Sequence, residues 1–298
     1  MQQIHAKAYA KINLTLDVLG KRPDGYHQMD MVMQSVSLCD ELTLLKTDSP
    51  GISLSCDNPD VPFPCDESNL AYKAAKLLFE HQGEPCAGVS IKLKKNIPDK
   101  AGMAGGSADA AAVLVAANEL FSWHLGMEEL CKIGKTLGAD VPFCIQGGTM
   151  RVQGFGEILT CLPDFPKLPI AVAKPKTGMS TAQAFEKIDT KQLVHPPVEQ
   201  VVTLLSKGNV NEAAMLCGNV FMQVTENADV FSFCRYFNTH NALFSMMTGS
   251  GTAVFAVFEE EHSAAMCVKG LMEAGERAYL CYPEPAGVKL ILEEEEDT

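Results

Sequence analysis

Residues 98–107 read PDKAGMAGGS, and ADAAAVLVAANELF follows without a break. Gly102, Gly105 and Gly106 leave this loop without the side chains that would keep backbone N–H groups from converging on an anion. The Ala-rich stretch predicts a helix beginning near Ser107, with its positive dipole end aimed at the same place. Before the loop, VSIKLK at 89–94 alternates apolar and polar residues and predicts a half-exposed strand. Such a strand–loop–helix unit either cradles phosphate or makes a tight connection. It is neither G-x-x-x-x-G-K-[ST] nor a Rossmann G-x-G-x-x-G, which excludes the two commonest nucleotide loops.

Charge sharpens the question. Lys92, Lys94, Lys95 and Lys100 surround the loop, a basic spot in a chain of formal charge −13. Five acids lie in the tail Glu293–Asp297, and the remaining −8 still excludes broad attraction to nucleic acid or an anionic membrane. The longest apolar run, Ala110–Ala117, is far short of the ~20 residues a bilayer requires. The start, MQQIHAKAYAKINL, lacks a basic head followed by an apolar stretch, so no signal peptide and a cytoplasmic location are expected. Eleven cysteines, the nearest two being Cys56 and Cys65, form no C-x-x-C pair and read as reduced thiols.

A length of 298 residues suggests two domains at ~150 residues each. The cluster Pro163, Pro166 and Pro169 marks the junction, giving 1–163 as a nucleotide-binding domain and 164–298 as a substrate-binding domain with an acidic tail. Strands are expected at 4–20, 31–45 and within 142–161, with a turn at Pro23-Asp24-Gly25 and a loop at 48–66. Helices are expected from Ser68, at 127–137 with Gly138 as a C′ residue, and near 180–187, 197–206, 211–217 and 262–274. Further strands are expected at 168–173, 252–258 and 288–292. Without regular βαβ alternation the class is α+β.

Several residues are candidates for chemistry, each with an ordinary structural alternative. Asp109 sits in the expected first helical turn, where a carboxylate suits the dipole but repels phosphate, so it either faces away or meets Mg2+. Asp140, in GADVPFC, precedes Val141, which Pro142 pushes toward extended geometry; a carboxylate so held is either a general base or a surface group. Tyr9, Lys11 and Asn13 share one strand face, which is either solvent-exposed or lines a cleft. TGSGTAVFAVF, with Gly249, Ser250 and Gly251, is a flexible turn or a second loop approaching phosphate.

Taken in order, KINLTLDVLGKRPDGYHQ, IPDKAGMAGGSADAAA, LGADVPF and MTGSGTAVFAVF resemble the GHMP-type small-molecule kinases over about Ala8 to Ala256. The first and third blocks look like the branch that phosphorylates a cytidine diphosphate derivative of methylerythritol. The resemblance implies an N-terminal ribosomal S5 domain 2-like domain, a smaller C-terminal ferredoxin-like domain, and an active site between them. It implies Asp140 as catalytic base with Lys11 as its partner. It implies an ATP cradle of Pro98, Ala101, Gly102, Met103, Ala104, Gly105, Gly106, Ser107, Ala108 and Asp109, with Asn69 and Lys95 near the nucleoside, and Mg2+ as cofactor. It assigns Asn13, Tyr26, His27, Thr181 and Phe185 to the cytidine diphosphate substrate. It implies the tertiary 2-hydroxyl of that small molecule as the acceptor.

Two departures from the family pattern carry expectations. Ala108 replaces a second serine, removing a hydroxyl that could meet phosphate. Thr252 stands where proline is frequent and loosens the late turn. For base discrimination, Tyr26 and Phe185 are expected to sandwich the pyrimidine. A neutral His27 is expected to donate a proton to cytosine N3, which would reject uracil.

Overall fold

Two long antiparallel strands, β1 (Gln3–Lys21) and β2 (His27–Thr47), open the chain. The structure is a computed structural model describing residues 2–57, 63–83, 88–177 and 181–291. Along β1 one set of residues is apolar and buried, including Ala8, Ala10, Ile12, Leu16 and Val18. Lys11, Asn13, Thr15 and Asp17 are polar, yet they are also 0–3% exposed. Alternation on a strand ordinarily marks one wet face. Here both faces are covered, so the open alternative for Lys11 and Asn13 resolves as an enclosed polar face.

After β2 come β3 (Ile52–Asp57), α1 (Leu70–His81) and β4 (Gly88–Lys94). The expected loop at 48–66 thus contains a strand, and Ile52, Leu54 and Cys56 alternate inward along it, parallel to β4. Next are α2 (Gly105–Leu120), α3 (Met127–Leu137), α4 (Val141–Gln146), β5 (Thr149–Gly154) and β6 (Ile158–Cys161). The first sheet runs β3–β4–β2–β1, and β5 branches off the opening half of β2 with β6 outside it. Helix α2 is buried nearly all round because Ala108, Ala110, Ala111, Ala112, Ala116 and Ala117 let neighbours approach its axis closely.

Two expectations fail around residue 140. Val141 is helical rather than extended, because Pro142 sits within the first helical turn, where its missing N–H costs no bond. Residues 141–146 are accordingly helix α4, and the strands of this region begin only at Thr149. Gly138 follows α3 with φ 174°, extended rather than left-handed.

The second sheet starts with β7 (Ile170–Lys174), after the proline cluster. It is followed by α5 (Thr181–Asp189), α6 (Val198–Ser206), α7 (Val210–Ala214) and α8 (Ala228–Thr239). Then come β8 (Phe244–Met247), β9 (Val254–Val257), α9 (Glu261–Glu273) and β10 (Arg277–Cys281). Their order, β10–β7–β9–β8, is antiparallel throughout. Helix α8, β8 and β10 lie outside the elements expected from sequence. The last strand, β11 (Val288–Ile291), returns to the first sheet and pairs with β1. The class is α+β, as expected. Among the described residues no helix is long and apolar enough to cross a membrane.

Candidate active site

Ala104 adopts φ 60° and starts α2 at Gly105, two residues earlier than expected. The first intrahelical bond is Ala108 N–H to Ala104 C=O, at 2.9 Å. The amides of Gly105, Gly106 and Ser107 precede it and have no intrahelical acceptor, the arrangement that receives an anion at a helix start. These residues border a cleft of about 670 Å³.

The loop leading into the helix is strapped on both sides. Met103 C=O accepts from Lys11 N–H at 3.2 Å, and Ala101 C=O accepts from Ala253 N–H at 3.1 Å. Asn13 ties the second strap: its Oδ1 accepts from Lys11 Nζ at 2.7 Å, Gly249 N–H at 2.9 Å and Thr248 Oγ1 at 3.2 Å. Asn219 supports the same turn, donating to Met247 C=O at 2.7 Å and Gly249 C=O at 2.9 Å. Thr252 does not loosen this turn, as expected from sequence, because its hydroxyl donates to Thr177 C=O and accepts from Lys174 Nζ.

Lys11 is fully enclosed. Burial lowers its pKa, while the charge of Asp140 pushes the other way. Asp140 stands at the N-cap of α4, half-buried, and its carboxylate accepts no hydrogen bond among the described residues. Lys11 and Asp140 thus both line the cleft, with the carboxylate left available to a substrate proton.

The basic spot expected around the loop is neutralised in part. Lys94 pairs with Glu41 at 3.1 Å, and Lys95 lies buried between Asp40 and Asp109. Asp109 lies in the second helical turn, outside the lining of the cleft, and meets Lys95 Nζ at 2.5 Å. Burial pushes the Asp109 carboxyl well above the usual carboxylate range, against the pull of Lys95. Burial alone would lower Lys95, but Asp109 and Asp40 outweigh it and raise its pKa. Asp40, which sequence reading passed over, also accepts the N–H groups of Asn96 and Ile97 at 2.6 and 2.8 Å. It thereby fixes the chain where it enters the loop.

Of the residues singled out from sequence, Lys11, Asn13, Tyr26, His27, Lys95, Thr181 and Phe185 line the cleft. So do Pro98, Asp140 and the run Ala101–Ser107. Asn69, Ala108 and Asp109 do not. Asn69 caps α1, accepting from Ala71 N–H at 2.9 Å and donating to Pro64 C=O at 2.8 Å. Ala108 is fully buried in α2, so the missing hydroxyl would have faced the core rather than phosphate.

The aromatic wall differs from the expected sandwich. Tyr26 packs against Phe155, ring centroids 5.0 Å apart, whereas Phe185 stacks on His27 at 4.4 Å and 27°. His27 Nε2 lies 2.7 Å from Asp189 Oδ1. An ionised carboxylate only accepts, so a neutral His27 gives its one N–H to Asp189 and has none for cytosine N3. Thr181 Oγ1 meets Ser250 Oγ at 3.0 Å and joins α5 to the late turn.

The comparisons fit this geometry. The family "GHMP kinases N terminal domain" matches residues 69–148. A 4-diphosphocytidyl-2-C-methyl-D-erythritol kinase of Acetivibrio thermocellus is 44% identical over 274 residues, spanning 91% of this chain and 95% of that protein. A crystal structure of 4-(cytidine 5'-diphospho)-2C-methyl-D-erythritol kinase has TM-score 0.78 at 30% identity, covering 94% of this chain and 98% of that chain. Homoserine kinase from Cytophaga hutchinsonii also reaches TM-score 0.78, at 19% identity and covering 98% of both chains; this likeness shows the fold alone.

Proposed function

The chain belongs to the 4-diphosphocytidyl-2-C-methyl-D-erythritol kinases, a branch of the GHMP kinases with their two-domain fold, and on that footing we propose which residues perform the reaction. The protein is an ATP-dependent small-molecule kinase of the non-mevalonate isoprenoid pathway. It moves the γ-phosphate of ATP to the 2-hydroxyl of 4-diphosphocytidyl-2-C-methyl-D-erythritol.

The observation that carries the residue assignment is the Asp140 carboxylate, without a hydrogen-bond partner among the described residues and near enough for its charge to act on Lys11. A tertiary alcohol is a weak acid and a hindered nucleophile, so proton removal accompanies attack. Asp140 accepts that proton. Lys11, anchored by Asn13, offsets the negative charge growing on the oxygen. The open amides of Gly105, Gly106 and Ser107 receive phosphate oxygens. Because phosphoryl transfer passes through a loose transition state, this positioning contributes at least as much as the base. Residues 1–163 supply these groups, and 164–298 add Thr181 and Phe185 to the lining of the cleft.

Mg2+ fits here as a companion of the triphosphate. Among the described residues no three His, Cys, Asp or Glu side chains gather as a metal site, and Asp109 is engaged by Lys95. The Ser107 hydroxyl is the neutral oxygen beside the loop that would hold it, with phosphate oxygens completing the shell. When bound, the ion draws charge from the phosphoryl oxygens. The cytoplasm, where both nucleotides are available, is the location this reading requires.

The test is a substrate panel. With ATP and Mg2+, the diphosphocytidyl substrate should yield ADP and a product phosphorylated at O2, whereas homoserine, galactose and mevalonate should not react. Faster turnover of one of those alcohols would contradict the reading.

A further inference from the structure

Asp189 is the last residue of α5, where the negative end of the helix dipole disfavours a carboxylate. Two cationic or hydrogen-bonding groups from the β1–β2 hairpin meet it there. His27 Nε2 is 2.7 Å from Oδ1, and Lys21 Nζ is 3.5 Å from Oδ2. The His27 contact holds the Asp189 carboxyl below its usual range, so it accepts and does not donate. Asp189 itself is not part of the cleft wall. It borders a separate hollow between Val18 and His195, and the His27 ring divides that hollow from the cleft.

Two constraints act on the imidazole. Stacking on Phe185, itself set edge-on against buried Phe221 at 5.0 Å and 88°, fixes the plane of the ring. Stacking permits rotation within that plane, and the bond to Asp189 removes it. In the neutral ring the N–H must sit on Nε2, leaving Nδ1 as a lone pair with no partner among the described residues. We infer that Asp189 is a positioning residue that presents His27 Nδ1 as a hydrogen-bond acceptor for the exocyclic amino group of the pyrimidine. Cytosine carries a donor at that position and uracil an acceptor, so the fixed lone pair favours one base and repels the other. The inference rests on the cytidine reading of the cleft and adds to it the residue that sets the polarity of its reader.

The experiment uses the full-length enzyme with the diphosphocytidyl substrate and its diphosphouridyl counterpart. It compares wild type, Asp189→Ala, Asp189→Glu and His27→Ala, and records ring 15N spectra of His27. Asp189→Ala should lower the cytidine-to-uridine ratio of kcat/KM on the order of tenfold, within the roughly 5- to 150-fold that one mismatched edge contact carries. The loss should lie mainly in KM for the cytidine substrate, with KM for ATP unchanged, and Asp189→Glu should restore part of it. The His27 spectrum should change from a single Nε2–H tautomer to a mixture. Asp189→Ala that keeps the wild-type ratio while His27→Ala loses it would overturn the role of Asp189, leaving the pair a plain tie between hairpin and helix. Wild type without a cytidine preference, but with the single tautomer intact, would instead overturn the cytidine reading and this inference with it. Unchanged ATP binding in every variant distinguishes either outcome from misfolding.

Discussion

Gly102 and Gly249 meet backbone to backbone where the phosphate loop crosses the late turn. A Cβ on Gly102 would lie 2.2 Å from the Thr248 carbonyl oxygen, and one on Gly249 would lie 3.0 Å from the Gly102 carbonyl oxygen. Both glycines have positive φ, +74° and +57°. The two loops connect elements of different sheets, and both glycines line the cleft.

Gly102→Ala should therefore cost more than about 2 kcal/mol of stability, from a disfavoured backbone and a clash with a carbonyl that cannot turn aside. Gly106→Ala has an ordinary φ and meets only Leu70 Cδ1 at 3.5 Å, so it should stay within about 0.5 kcal/mol of wild type. Denaturant titration of both variants checks this contrast; equal costs would show that the loop crossing is not the constraint.

The buried triad makes a second contrast. Asp40→Asn removes the charge that holds Lys95 and two backbone amides, and should cost about 3–5 kcal/mol. Asp109→Asn leaves the Lys95–Asp40 pair and should cost less. The pH dependence follows from the raised pKa of Asp109: its favourable contribution is complete below the unfolded carboxylate value of about 4 and is lost as pH rises through the folded value. Asp109→Asn should gain on wild type as pH rises above about 4. Urea midpoints across that range measure the trend, and a gain on acidification would contradict it.

Asn13 holds Lys11 and the late turn through one oxygen. Asn13→Ala should lower kcat on the order of 10- to 100-fold by releasing both, with a smaller change in substrate KM. Steady-state kinetics decide this; a change confined to KM would make Asn13 a substrate contact instead.

Much of the first sheet and α2 was legible because its signals are local: the glycine loop, the alternation of β1 and the Ala-rich helix each occupy one stretch of chain. Helix α8 also carried a signal, with Val230, Phe233, Cys234 and Phe237 on one helical face after the capping Asn227. Pairings across long separations were not legible. Nothing beside Lys95 in sequence announces Asp40, 55 positions away, so four lysines read as a basic spot that their acids in fact neutralise in part. The same separation hid Asp189 from His27, 162 positions apart, so the expected donation to cytosine did not take the His27–Asp189 contact into account. Val141 was misread for a different reason: the rule for residues before proline yields to the first turn of a helix.

Asp140→Asn keeps the size of the side chain but cannot accept the substrate proton, so it bears most directly on the proposed base. The measurement is single-turnover phosphoryl transfer with saturating ATP and diphosphocytidyl substrate, paired with calorimetric ATP binding. The rate constant should fall on the order of 10²- to 10⁴-fold while ATP affinity stays near that of wild type. Retention of more than about a third of the wild-type rate constant, with ATP still bound, would contradict the assignment of Asp140 as the base.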